Sequence, residues 1–529
     1  MNRAAGLMRR VTIATALGLA ALGATACRSG GAAPKRAAAN ASSTGRGRTV
    51  RMLLVNDVYV TDTLRDGRGG LARVAAIRDS IERVTGEPVL FMLAGDVLSP
   101  SVLGKWYGGA QMVDAFNAAR LDYATLGNHE FDGSRSNLVA RLGESKFRWL
   151  SGNCGEANGS PFPAVKGWDT LRVNGVRVGI IGTTVVRDYS SYVRCRNPDS
   201  ATTALVDTVT ATGAELVVAL THRFIFEDLQ TLETEPRITA ILGGHEHDGR
   251  RAEREGRLLV KAVSNARTAV LVTFTQSGAP GASRWSVQDR VFPIGPGMPM
   301  QAQTVAVVSR WRDTLTRRIG PDRVLGQAVE AINAVDSISK RESRFGNLIT
   351  DAMRAGTGAD IAMINSGALR FDDVMAAGPI TRHMIEGIFL FADETRTVTV
   401  PVTGERLRLL LENGVSLHGL GSGPYPQVSG VRFTFDARRP SGSRVVGDLL
   451  RGDGRVLAPS DTVRVTFVTY PACRGGDGYR IPEAASACKA LDANPSSFPR
   501  TADLVIQYLE AMHGRIVQPP TGRVTRLDR

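Results

Sequence analysis

Five short apolar runs in the first half of the chain each end, within a few residues, in a side chain that can bind a metal. Arg51–Val55 runs into Asp57, Val89–Ala94 into Gly95-Asp96, and Tyr123–Leu126 into Gly127-Asn128-His129-Glu130-Phe131-Asp132. Glu215–Leu220 leads to Thr221-His222, and Ile238–Leu242 to Gly243-Gly244-His245-Glu246-His247. Between the first of these lie amphipathic stretches, Leu71–Val84 with apolar Leu71, Val74, Ile77 and Ile81, and Gln111–Arg120; Val176–Ile181 is a further apolar run. Short strands alternating with helices make a layered α/β domain, and ligands in such domains gather beyond the carboxyl ends of the strands. Taken singly, Asn and Asp are common helix caps and turn residues, and His222 reads equally as a satisfied buried histidine. Five such endings in succession point instead to one site assembled on one rim. Histidine usage agrees, since only seven occur and four of them, His129, His222, His245 and His247, stand in these turns.

The residue types fit hydrolysis of a phosphate ester. That reaction needs an activated water, neutralisation of charge on the phosphoryl oxygens and help for the leaving group, and a pair of metal ions meets the first two needs. A mixed Asp, Asn and His set suits borderline ions such as Mn, Zn, Co or Fe better than Ca or Mg. In the central turn Asn128 offers a neutral oxygen, while His129 and Asp132 read as an acid and its orienting partner.

Asn56-Asp57, Gly69-Gly70-Leu71-Ala72-Arg73, Gly95-Asp96, the Gly127–Asp132 turn, Thr221-His222 and Gly244-His245-Glu246-His247 resemble, in order and spacing, the calcineurin-like metallophosphoesterase set of secreted 5′-nucleotidases. The resemblance covers most of Thr49 to about Pro293. It implies two divalent metal ions bridged by Asp96, one also held by Asp57 and His247, the other by Asn128, His222 and His245. His129 would stabilise the transition state or protonate the leaving oxygen, with Asp132 fixing its orientation. One position departs: the family has Asp-x-His where this chain has Asp57-Val58-Tyr59, and no histidine precedes His129. Tyr59 reads as a phenolate ligand, as a residue that leaves its metal under-coordinated, or as packing.

The stretch Pro293–Pro299 breaks the pattern and reads as a boundary. Thr304–Arg318 is an amphipathic helix with Val305, Val308, Trp311 and Leu315 on one side. Beyond it, strands near Ile361–Ile364, Thr397–Val402 and Val463–Thr469, with helices near Asn347–Arg354 and Glu405–Asn413, make a second α/β region. Arg341-Glu342-Ser343, Gly346–Ala352, Asn365-Ser366-Gly367-Ala368-Leu369-Arg370 and Gly475-Gly476-Asp477-Gly478-Tyr479 resemble the carboxy-terminal domain of the same family. That resemblance implies a nucleotide-holding lobe: Arg341, Asn365 and Arg370 toward phosphate and sugar, Phe391 as a stacking ring, Asp477 on ribose hydroxyls. The second stacking position falls at Pro471, beside Tyr470, and Arg344 stands where the family has Asn, favouring a more anionic substrate.

The fold expected is therefore α/β and two-lobed, a four-layer αββα metallophosphoesterase domain followed by a smaller α/β substrate-binding domain. The divisions expected are 1–26 signal peptide, 27–48 tether, 49–295 catalytic domain, 296–322 linker helix and 323–529 substrate domain. Arg9-Arg10, the apolar Val11–Ala26 and then Cys27 form an export signal; Ala24-Thr25-Ala26-Cys27 resembles a lipobox, with ordinary cleavage the other reading. Four cysteines then remain, paired most simply as Cys154 with Cys195 and Cys473 with Cys488. At 43% hydrophobic and 22% charged, the composition is that of a soluble globular protein with at most a lipid anchor on Cys27. The +14 charge is scattered arginine without a long basic run, so nucleic acid is not an expected partner. The expected substrate is a 5′-nucleotide. UDP-sugars, 2′,3′-cyclic nucleotides, a thiosulfohydrolase activity, and an anchored binding protein without turnover are the alternatives.

Overall fold

The computed structural model describes residues 48–64, 66–187, 189–278, 284–333, 341–369, 374–375, 377–390, 396–417 and 423–527. The segment read as an export signal, Cys27, Arg370 and Phe391 lie outside the described residues. Among the described residues, no helix is long and apolar enough to cross a membrane.

The amino-terminal lobe stacks two sheets face to face. The first, of seven strands, is ordered Arg284–Pro293, Thr268–Ser277, Thr49–Val55, Val89–Ala94, Tyr123–Thr125, Arg148–Leu150, Val165–Lys166. The second, of six, runs Arg250–Arg254, Arg257–Lys261, Ala240–Gly243, Leu216–His222, Val176–Thr184, Trp168–Val173. Side chains alternate across each strand, and here both faces are covered. Met52, Leu54 and Met92 pack between the sheets with Val178, Ile180, Val218 and Leu220. Their neighbours Leu53, Val55, Phe91 and Leu93 face the helices Leu71–Thr85 and Ala110–Ala118. On the far side Val217, Ala219 and Ile241 meet Val206, Val209 and Leu232 of Pro198–Ala211 and Ile225–Thr234. This is the expected helix–sheet–sheet–helix stack, and it explains why the central strands read as unbroken apolar runs.

Within each sheet the central strands are parallel, Thr49–Val55 with Val89–Ala94 and Tyr123–Thr125, and Val176–Thr184 with Leu216–His222 and Ala240–Gly243. Their carboxyl ends therefore open on one rim. A disulfide joins Cys154 to Cys195, which stand opposite each other in the pair Cys154–Glu156 and Val193–Cys195.

The helix Ala302–Ile319 lies on the first lobe, with Trp311 Nε1 3.0 Å from Asp114 Oδ2. The second lobe is built on a four-stranded sheet ordered Thr397–Thr403, Thr462–Val468, Ile361–Asn365, Pro426–Ser429. One core packs it against Arg344–Thr357 and Thr501–Glu510, the other against Gly404–Val415 and the strands Val431–Phe435 and Val445–Arg451. The second disulfide joins Cys473 to Cys488.

Candidate functional site

The rim turns are forced tightly together, and the sequence provides for it. A Cβ on Gly127 would stand 2.1 Å from Asp96 Oδ1, and one on Gly95 2.4 Å from His222 Nδ1, so only glycine lets these turns meet. Asp57, Asp96, His245 and His247 adopt positive φ of 51°, 52°, 95° and 65°. Such backbone costs of order 1–3 kcal/mol per residue and concentrates where a site demands it.

Two groups of donor atoms result, sharing Asp96. In the first, the Tyr59 hydroxyl lies 3.4 Å from Asp57 Oδ1, 3.2 Å from Asp96 Oδ2 and 3.0 Å from His247 Nε2. In the second, His222 Nε2 is 3.1 Å from Asp96 Oδ2 and 3.2 Å from His245 Nδ1, and Asn128 is buried beside them. His222 Nδ1 donates to the Ala94 carbonyl at 2.8 Å, which aims its other nitrogen into the group.

The donors fit metal ions on two observations of this chain. Asn128 Oδ1 is buried with no hydrogen-bond partner, an expense that a cation would relieve. Asp96, His222 and His245 also lie close enough for one ion to meet all three. Electrostatics point the same way. Burial alone would depress His222, yet the Asp96 and Asp57 carboxylates hold it up to about 9, so the pocket favours positive charge at that spot. Asp96 is held well below the usual carboxylate range by His222 and His129, against its burial. His245 is driven down to about 2 by burial and by His222, and stays neutral.

Glu130 braces the turn from behind. Its carboxylate accepts from the backbone N–H groups of Asp96, Val97, Leu98 and Gly127 at 2.6–3.0 Å. Burial, then the charge of Asp96, push it up to about 7. Lys261 braces the histidine turns. Its buried ammonium lies 2.7 Å from the Arg223 carbonyl, 2.9 Å from that of Gly244, 2.7 Å from Glu246 and 3.0 Å from Asp228. One cation thus ties the turn after His222 to the turn carrying His245 and His247.

A cleft of about 570 Å³ runs between the lobes, with Asn128 of the donor groups in its wall. His129 and Asp132 line it, with His129 Nδ1 2.8 Å from Asp132 Oδ2. From the other lobe come Asn365, Asp477 and Tyr470. Asn365 Nδ2 donates to Asp477 Oδ2 at 2.6 Å, and Asp477 holds a positive φ of 55°. The aromatic position resolves differently from the sequence reading: Pro471 is buried, while the neighbouring Tyr470 packs on Gly476 and faces the cleft.

Two arginines stand elsewhere. Arg341 is exposed and is not among the residues lining the cleft; its carbonyl accepts from Gln427 at 2.9 Å. Arg344 pairs with Glu330 and donates to the carbonyls of Gln518 and Pro519, and it does not line the cleft. The cleft instead contains Arg187, which the sequence reading missed, 3.4 Å from His245 Nε2 and stacked over Phe224. It lies just past the carboxyl end of Val176–Thr184, where the rule that found the other rim residues would have found it.

Comparison with known proteins agrees with this geometry. Residues 50–249 match the calcineurin-like phosphoesterase family, and residues 324–484 match the 5′-nucleotidase C-terminal domain. Protein 5NUC of Lutzomyia longipalpis is 26% identical over 87% of this chain and 87% of its own length. The snake venom 5′-nucleotidase of Naja atra is 25% identical over 87% of this chain and 94% of its own. Among solved structures, a 5′-nucleotidase precursor from Thermus thermophilus superposes with a TM-score of 0.76 at 25% identity, covering 91% of this chain and all of that one. With both halves matched, the chain belongs to the 5′-nucleotidase family of metal-dependent phosphoesterases.

Proposed function

We propose that this protein removes the 5′-phosphate of nucleotides in the interlobe cleft, using two divalent metal ions. The observation that carries this reading is the arrangement of the cleft itself. Asn128, the His129–Asp132 pair and Arg187 occupy its first-lobe wall, and groups suited to a nucleoside occupy the opposite wall.

Asp57, Asp96 and His247 would hold one ion, and Asp96, Asn128, His222 and His245 the other. Bound there, the ions would supply Lewis acidity, making water nucleophilic at neutral pH and neutralising the phosphoryl oxygens. The protein's own groups do the rest. Asp132 accepts from His129 Nδ1 and so leaves Nε2 to carry the proton for the departing ribose oxygen. Arg187 brings a planar cation to the phosphate end of the cleft. Tyr470 offers a ring to the base, and a ring face accepts any base without reading its edge. Asp477, oriented by Asn365, accepts hydrogen bonds from ribose hydroxyls.

Hydrolysis of AMP, UDP-glucose and 2′,3′-cyclic AMP by the metal-reconstituted chain, followed by separating the nucleoside and nucleotide products, beside Asp477→Ala, tests this. AMP should be preferred, and Asp477→Ala should raise KM for AMP more than it lowers kcat. Preference for UDP-glucose or the cyclic nucleotide would reassign the substrate, and no hydrolysis of any of the three would leave a binding protein. The Arg9–Cys27 segment supports export with a lipid on Cys27; mass spectrometry of the mature amino terminus should find a diacylated Cys27, and cleavage without lipid would refute the anchor.

A further inference from the structure

Tyr470 and Asp477 reach the cleft from one short stretch of chain, and a disulfide is anchored inside it. The helix Thr469–Arg474 carries both Tyr470 and Cys473, and the turn Gly476–Gly478 that follows carries Asp477. Helix and turn are packed as one piece, since a Cβ on Gly476 would stand 2.2 Å from the Tyr470 ring. Cys473 then bonds to Cys488 in the helix Ala485–Ala493, so a covalent link closes over the turn.

The turn needs closing. Gly475, Asp477 and Gly478 hold φ of 65°, 55° and 77°, and a left-handed aspartate persists only where its surroundings over-determine it. Two side-chain amides hold Asp477 from within the lobe: Asn413 donates to its carbonyl at 3.1 Å and Asn365 to its carboxylate at 2.6 Å. On the outer side Ile481 and Ala484 are buried, but of the residues of Ala485–Ala493 only Leu491 is. Arg474 meets Asp492 at 3.1 Å with side chains 46% and 56% exposed, and a pair so exposed adds little. The disulfide is therefore the firm tie between the helix that bears Tyr470 and the helix outside it.

The bond is also open to chemistry from solvent. Cys473 and Cys488 are half-buried and line a surface pocket of about 520 Å³ together with Arg406 and Arg480. Cationic side chains beside a disulfide favour the approach of one thiolate and the departure of another. In the other disulfide Cys154 is buried.

We propose that the Cys473–Cys488 disulfide positions the nucleoside wall of the cleft, so that its reduction by a thiol loosens nucleotide binding and leaves phosphate cleavage intact. This positioning role rests on the reading that the cleft binds a nucleotide. A thiolate attacks one of the two sulfurs, a mixed disulfide forms as the Cys473–Cys488 bond breaks, and the released thiolate takes a proton from solvent. A second thiol group displaces the first, leaving two protein thiols and one oxidised reagent disulfide.

The test separates binding from chemistry. The manganese-loaded full chain is assayed with AMP as it stands, after dithiothreitol and after reoxidation, beside the Cys473→Ser, Cys488→Ser double variant; alkylation and peptide mapping show which cysteines are free. Opening the bond should raise KM for AMP about tenfold, the effect of releasing one enforced left-handed residue, and should weaken inhibition by adenosine to the same extent. The value of kcat, and inhibition by inorganic phosphate, which meets only the first-lobe wall, should stay nearly unchanged. Reoxidation should restore KM, and the serine pair, with no thiol present, should match the reduced wild type. Unchanged KM with Cys473 and Cys488 mapped as free, a bond that dithiothreitol leaves intact, or a parallel loss of kcat and of phosphate inhibition, as general unfolding would give, would each overturn the proposal. Adenosine binding by equilibrium dialysis is measured on the same preparations. AMP hydrolysis and adenosine binding indifferent to the bond sink only the positioning role, whereas bond-dependent adenosine binding without hydrolysis sinks only the nucleotidase reading.

Discussion

Glu386 fastens the lobes together, and substitutions around it should be unequal in a way the geometry dictates. Lys105 of the first lobe reaches Glu386 Oε2 at 2.9 Å and the Phe389 carbonyl at 3.0 Å. Arg500 donates to both Glu386 oxygens, at 2.9 and 2.7 Å. The Lys105 and Glu386 side chains are 1% and 0% exposed. Glu386→Gln keeps the volume but leaves two cations facing a neutral amide, and stripping a buried pair of one partner costs about 3–5 kcal/mol. Lys105→Met leaves Glu386 with the Arg500 fork. It removes one charge-assisted bond worth about 1.5–3 kcal/mol, and the added apolar burial returns roughly 1 kcal/mol. Glu386→Gln should therefore be the worse by about 2 kcal/mol, read as the shift of the urea midpoint near neutral pH. Burial would raise the Glu386 carboxyl, but Lys105 and Arg500 hold it below 4.5. A carboxylate depressed in the folded state stabilises fully above its unfolded value and loses that effect as pH falls through its folded value. The gap between wild type and Glu386→Gln should thus be widest at neutral pH and should close as acid protonates the Glu386 carboxyl. Equal midpoints for the two variants, or a gap that persists in acid, would refute the reasoning.

Lys261→Met should weaken metal binding by about 10–100-fold, the usual effect of losing a group that orients ligands, with Lys261→Arg recovering part of it; chelator competition measures this, and unchanged affinity would remove Lys261 from the site. The disulfides close separations of 41 and 15 residues, so replacing Cys154 and Cys195 by Ser should cost about 4 kcal/mol and replacing Cys473 and Cys488 about 3 kcal/mol, checked by urea unfolding. Tyr470→Ala should raise KM for AMP by roughly the 5- to 150-fold that 1–3 kcal/mol of stacking represents, with kcat nearly unchanged; a fall in kcat with constant KM would place Tyr470 outside base binding.

What the sequence revealed and concealed follows from how each residue is held. The rim donors were legible because each ends a short apolar run, a local signal that survives without the fold. Arg187 was hidden because its strand reads as Val176–Ile181 but continues to Thr184, placing the turn beyond the segment considered. Lys261 closes a strand in which it reads as an ordinary edge lysine. Its burial depends on Asp228 and Glu246, which reach it only when three elements pack. Arg344 shows the opposite case: it was read as a departure from the motif that adds charge, and it pairs with Glu330 and with the carbonyls of Gln518 and Pro519, contacts that no local pattern records. The hairpin Thr268–Ser277 with Arg284–Pro293 escaped because its outer strand alternates between intermediate and exposed residues and has no solid apolar run.

The most direct test of a two-metal phosphoesterase is phosphate release from AMP as the stripped chain is titrated with manganese. Activity should rise to a plateau at about two equivalents, the count a paired-ion site requires. His129→Ala should bind the same two while its kcat falls by about 10²–10⁴. A plateau at one equivalent, or undiminished release by His129→Ala, would contradict the account.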